Sequence, residues 1–127
     1  MKLPTLELLL EAHRVEIRES GSPEGFKRDA LEAALVRPRQ LLAHKPKVTV
    51  FELAACLGFA VVKINQPVVD GNKRVAFHAI NLVLGLNGWY LDAPERDAAD
   101  IIKGVAAGDY TEQRLSDFLC EWSYQVE

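Results

Sequence analysis

Two stretches of this chain are apolar on nearly every side, and they are consecutive. The first opens with Thr49-Val50-Phe51-Glu52 and runs to about Ile64; within it only Glu52, Gly58 and Lys63 are neither apolar nor small. The second runs from about Asn72 to Asn87 and carries Val75, Ala76, Phe77, Ala79, Ile80, Leu82, Val83, Leu84 and Leu86. Helices with so little polar surface belong in the middle of a protein. Joined by the short loop Asn65–Gly71, they predict a central antiparallel helix pair that other helices must wrap. The Thr49/Glu52 spacing is a capping box, in which hydroxyl and carboxylate reciprocally satisfy the first amides of a helix. Asn87-Gly88 stops the second buried helix with residues that tolerate a left-handed cap.

The remaining segments show one-sided helical patterning. Leu6, Leu9, Leu10, His13 and Ile17 mark a first helix from about Thr5 to Ser20, broken by Gly21-Ser22-Pro23-Glu24-Gly25. A second helix covers about Arg28–Val36. Pro38 predicts an interruption there, with a shorter piece, Arg39–His44, beyond it. Trp89-Tyr90-Leu91 reads as a short extended piece. Pro94 opens a fifth helix to about Ala107, closed by Gly108, and Thr111 caps a sixth to about Gln125. The expected fold is all-α: about six helices in one domain spanning residues 1–127.

Composition narrows the class without changing the fold. Hydrophobic residues make up 49% of the 127, and charged residues 26%, as in ordinary globular domains. The net charge of -3 disfavours a protein built to coat nucleic acid, so no direct nucleic-acid partner is expected. The run Val48–Ile64 is short for a bilayer and is followed by a polar loop, so it reads as a core helix and no membrane partner is expected. Without a signal-peptide pattern at Met1, the expected location is cytoplasmic. Cys56 and Cys120 both fall in apolar helical patterns and read as small core residues.

Candidate chemistry gathers between the two buried helices. Asp70-Gly71-Asn72-Lys73-Arg74 is a polar turn that becomes the start of a helix. The first amides of a helix lack internal acceptors and carry partial positive charge, so they attract anions. Gly71 allows close backbone approach to a ligand. Lys73 and Arg74 add formal positive charge at the positive end of the helix dipole, an arrangement that is unfavourable without an anion, and an arginine fork matches phosphate oxygens in pairs. Asp70 is positioned for a magnesium ion, which needs only one or two carboxylates beside phosphate oxygens. The turn has no Walker-type glycine-rich run. An alternative stays open: Asp-Gly as a plain turn with Lys73 and Arg74 as a solvated surface.

The stretch Asn65–Arg74, NQPVVDGNKR, resembles the signature of the Fic superfamily, and its D-G-N-K-R ending is similar to the Doc (death-on-curing) branch, whose pattern runs H-x-F-x-D/N-G/A-N-K-R. Arg28–Pro38 is similar to the family's second-helix segment, and Leu82–Leu91 looks like its post-motif helix and turn. The resemblance implies a helical bundle that binds ATP, or a related nucleotide, with Mg2+ at this loop. Fic members transfer AMP to protein hydroxyls. Doc members phosphorylate a threonine of elongation factor Tu and are toxins restrained by an antitoxin helix laid in a groove. By position, Asp70 is the implied metal residue, Gly71 and Asn72 line the anion hole, and Lys73 and Arg74 hold phosphates.

Two positions depart from the pattern. Gln66 stands where the family has its general-base histidine, and Val68 where it has a phenylalanine. An amide cannot take up and release a proton near neutral pH, and loss of a positioned base costs ~10²–10⁴ in rate. A catalytically silent nucleotide- or protein-binding module is therefore the alternative to an active enzyme. His78, one turn after Arg74 on the same face with Asn81 next in line, is a substitute base or, more simply, an interior histidine. His13 and His44 have no metal-ligand spacing. Leu8 and Trp122 are candidate exposed apolar residues for an antitoxin groove.

Overall fold

The computed structural model describes residues 1–12, 14, 27–67 and 72–126. Among these, six helices and a two-stranded ribbon follow one another in the order α1 (Leu6–Ala12), α2 (Arg28–His44), α3 (Val50–Phe59, continued by a π-helical turn, Ala60–Asn65), α4 (Asn72–Leu86), β1 (Trp89–Leu91), α5 (Glu95–Ala107), α6 (Glu112–Trp122) and β2 (Ser123–Gln125). The all-α architecture is as expected. The loop Gly21–Gly25, the first helix beyond Arg14 and His13 lie outside the described residues.

The apolar pair α3 and α4 forms the centre. Leu53, Leu57, Val61, Val75, Ile80 and Leu84 are fully buried, and Leu9, Leu31, Leu35, Leu115 and Leu119 from the surrounding helices close over them. The pair is antiparallel: Phe51, early in α3, meets Trp89 beyond the end of α4 edge-to-face at 4.9 Å between ring centroids, whereas Gly58 lies against Ile80. Gly58 has no side chain because there is no room for one, since a Cβ would stand 2.6 Å from Ile80 Cδ1.

Local signals position the ends. Thr49 and Glu52 form the predicted capping box, and Thr111 Oγ1 accepts from the Arg114 amide at 3.0 Å. Gly108 adopts the left-handed cap at φ 86°. Asn87 does more than end α4: its Nδ2 donates to the Val83 and Lys2 carbonyls, and its Oδ1 accepts from the Lys2 amide, so it pins the N-terminal segment.

Four expectations need correction. Helix α2 runs unbroken through Pro38. An interior proline costs roughly 3 kcal/mol, but Leu31, Ala34, Leu35 and Pro38 form one buried stripe. Leu41 and Leu42 beyond it also pack on the core, and apolar burial worth roughly 1.5–3 kcal/mol per large side chain outweighs the lost bond. The third helix does not stay α-helical to Ile64, because its last six residues widen into the π turn, where the Gln66 amide donates to Val61 O at 3.0 Å. The sixth helix ends at Trp122; Ser123–Gln125 then pairs antiparallel with Trp89–Leu91, Tyr90 opposite Tyr124. Cys120 is exposed and only Cys56 is buried, because the buried stripe of α6 is Leu115, Ser116, Phe118 and Leu119.

No helix among the described residues is long and apolar enough to cross a membrane.

Candidate functional site

The segment between the central helices is approached through an irregular turn. Gln66 follows the π turn in the left-handed region, with φ 43° and ψ 68°, a conformation that costs a non-glycine residue about 1 kcal/mol or more. Its side chain folds back, Nε2 donating to Val62 O at 3.3 Å. The next residue, Pro67, is buried, and its carbonyl accepts from the Lys27 amide at 2.6 Å, tying the loop to the start of α2. π turns recur beside functional sites, where one extra residue re-aims the chain. Val68, Asp70 and Gly71 lie outside the described residues.

Helix α4 then begins at Asn72, which is half-buried, followed by Lys73 and Arg74, both exposed. Lys73 and Arg74 border a cleft of about 600 Å³. Phe77 and His78 continue that wall one turn on, and the facing wall comes from Ala93 and from Glu95, Ala98, Ala99, Ile102 and Lys103 of α5. Ala93, Ala98, Ala99 and Phe77 give the cleft much of its apolar lining. Its volume falls in the range of small-molecule sites, and its make-up is typical of them, an apolar interior with a few convergent polar groups.

The polar stripe of α4 is divided. Arg74 and His78 line the cleft, whereas Asn81 turns its Nδ2 to Phe77 O at 3.0 Å. His78 is exposed rather than interior, with its ring edge-on to Phe77 at 6.3 Å. The sequence motif pointed to one wall only. The α5 wall carries no motif; its signal is the run of alanines on an amphipathic helix, which by itself looks like plain core packing.

Among the described residues no group of three or more His, Cys, Asp or Glu side chains could hold a metal ion. Magnesium held through one carboxylate and phosphate oxygens needs no such group, and the sequence offers Asp70 for it. The donors that are described, Lys73 and Arg74 at the positive end of α4, fit a phosphate.

A model of the Fic/DOC family matches residues 3–84. This chain belongs to the Fic/DOC family. No curated protein gives a significant match. The Fic/DOC match takes in the central helix pair, the Gln66 turn and the cationic start of α4. The α5 wall of the cleft lies beyond it.

Proposed function

We propose that this Fic/DOC protein is a Doc-type toxin of a toxin–antitoxin module, with an antitoxin helix and elongation factor Tu as its protein partners and ATP with Mg2+ as its ligand. In this form its phosphate-binding half is retained and its base is missing. The observation that carries the reading is that Lys73 and Arg74, in the first turn of α4, both border a cleft that combines an apolar interior with a cationic rim. Gly71, Asn72, Lys73 and Arg74 would hold the phosphates and Asp70 the magnesium, which would neutralise phosphate charge when bound. Lys73 and Arg74 orient the phosphates against the helix start, and the apolar walls exclude water from the rest of the ligand.

Proton removal from the accepting hydroxyl is the step this chain lacks. Gln66 is an amide, and in this conformation its nitrogen donates to Val62 O. Turnover should therefore be slower than that of a His-bearing chain by ~10²–10⁴. That same hydrogen bond favours a second reading, a catalytically silent module that binds nucleotide or protein without chemistry. AMP transfer of the broader Fic type is separated from phosphate transfer by where the label sits.

The test is incubation with elongation factor Tu and ATP labelled at the α- or the γ-phosphate, for the parent chain and for Gln66→His. Label transferred from the γ-position, strongly in Gln66→His and weakly in the parent, supports the toxin reading. Transfer only from the α-position replaces it with AMP transfer, and none from either form leaves the silent module. ATP with Mg2+ should also raise the melting temperature by linkage; the absence of any shift would count against every nucleotide reading.

A further inference from the structure

We propose that Lys103 is a third phosphate-binding cation of the cleft, placed on the wall opposite Lys73 and Arg74 so that the preferred ligand carries two or more linked phosphates. The proposal rests on the nucleotide reading above and adds to it a residue outside the span that the family model matches.

The placement follows from the direction of α5. This helix starts after β1, which follows the end of α4, and it returns toward the start of α4: Ala106 O accepts from Lys63 Nζ at 3.4 Å, and Lys63 stands just before the motif loop. Lys103 lies one turn before Ala106 and lines the cleft. It therefore sits at the cleft's cationic end. Glu95, eight residues earlier in α5 and about 12 Å away along the helix axis, marks the other end.

Ordinary structural duties do not account for Lys103. The end of α5 is completed without it: Gly108 adopts the left-handed cap, its amide donates to Val105 O at 3.1 Å, and Gly104 O accepts from the amides of Asp109 and Tyr110. Lys63 already serves Ala106 O. Among the described residues Lys103 enters none of the ion pairs. Among the described residues, Lys73, Arg74 and Lys103 line this largely apolar cleft with Glu95 as its one carboxylate, a setting that suits a multivalent anion. A single phosphate is satisfied by Lys73, Arg74 and the α4 amides. Further linked phosphates extend into the cleft, toward Lys103.

Calorimetric titration of the full chain with ATP, AMP and inorganic tripolyphosphate, each with Mg2+, tests this against Lys103→Gln and Lys103→Arg. Lys103 is exposed, so neither change disturbs the core. Lys103→Gln should weaken ATP and tripolyphosphate about tenfold, as expected for one charged contact, and leave AMP nearly unchanged, while Lys103→Arg keeps tight binding. Equal ATP affinity in the parent and Lys103→Gln would make Lys103 a solvated residue and leave the nucleotide reading standing. Equal weakening of AMP and ATP would also overturn the proposal. Tripolyphosphate binding that depends on Lys103, without ATP binding, keeps the cation site and defeats the nucleotide reading; binding of neither defeats both.

Discussion

The side-chain amide of Gln66 donates to the carbonyl oxygen of Val62 at 3.3 Å, closing the π turn that leads into the motif loop. Gln66 thus works as the cap of its own helix, with its backbone held at φ 43°. Two opposing effects meet there. The left-handed backbone costs about 1 kcal/mol or more for a residue with a Cβ, and the amide bond returns roughly 0.5–1.5 kcal/mol.

Replacement of Gln66 by glycine removes both effects, so Gln66→Gly should unfold within about 0.5 kcal/mol of the parent in urea. Gln66→Val keeps the strained backbone, adds a branch at Cβ and loses the bond; it should lose about 1–2 kcal/mol. Equal stability of Gln66→Val and the parent would show that the capping bond carries no weight. Gln66→His forfeits the amide cap as well, so its expected gain in transfer comes with a small loss in melting temperature.

The central helix pair and its capping box were legible in the sequence because continuous apolar patterning and Thr49/Glu52 spacing are local signals. Pro38 misled because propensity is local, whereas the stripe Leu31, Leu35, Pro38 that carries α2 onward is a tertiary contact. The strand Ser123–Gln125 was hidden for the same reason, since its partner Trp89–Leu91 is more than thirty residues away. For the site, the charged start of α4 announced itself through residue types at a helix end. The α5 wall, Glu95, Ala98, Ala99, Ile102 and Lys103, carries no local motif, and its role emerges only where it lines the same cleft as the start of α4.

Protonation links stability to pH at one surface contact. Lys45 Nζ lies 2.6 Å from Glu52 Oε2, and this hydrogen bond, above all, holds the Glu52 carboxyl below its usual range. A folded-state pKa below the unfolded value of about 4.3 contributes stability that is complete above that pH and is lost as pH falls through the lower folded value. Lys45→Met should therefore be less stable than the parent at pH 7 by no more than about 1 kcal/mol, as for other partly exposed pairs. The difference should shrink below about pH 4. A gap that widens in acid would reverse the assignment.

The two thiols should behave differently toward a thiol-specific reagent at pH 8. Cys120 is exposed, whereas Cys56 is buried; burial, with Glu112 adding to it, pushes the Cys56 thiol up to about 11. The thiolate is the reactive form, so one thiol should react quickly and the second only as the chain unfolds. The sign for stability follows: a thiol whose pKa is raised on folding favours the native state below the unfolded value of about 8.5, and this contribution is lost as pH climbs toward the folded value. Cys56→Ser should keep the fast-reacting thiol, and Cys120→Ser should abolish it. Two thiols reacting at one rate would contradict the burial of Cys56.

Within the central pair, Gly58 of α3 lies directly against Ile80 of α4. A Cβ on Gly58 would meet Ile80 Cδ1 at 2.6 Å and Cγ1 at 2.8 Å, in a site where Ile80 is fully buried. Alanine gains up to about 1 kcal/mol over glycine as a helix former, but overpacking a closed core costs roughly 1–3 kcal/mol. Gly58→Ala should therefore destabilise by about 1 kcal/mol net. The adjustment pushes the two helices apart, and the start of α4 carries Lys73 and Arg74, so ATP affinity should fall with stability. Ile80→Val removes Cδ1, the nearer of the two atoms, and costs about 1 kcal/mol by itself, yet it relieves part of the overlap with the new methyl, Cγ1 remaining. The two changes should not add: Gly58→Ala/Ile80→Val should lose less stability than the two single losses together and recover part of the ligand affinity lost in Gly58→Ala. Additive losses in urea unfolding, with affinity unrestored, would mean that the Gly58–Ile80 contact does not set the position of the cationic turn.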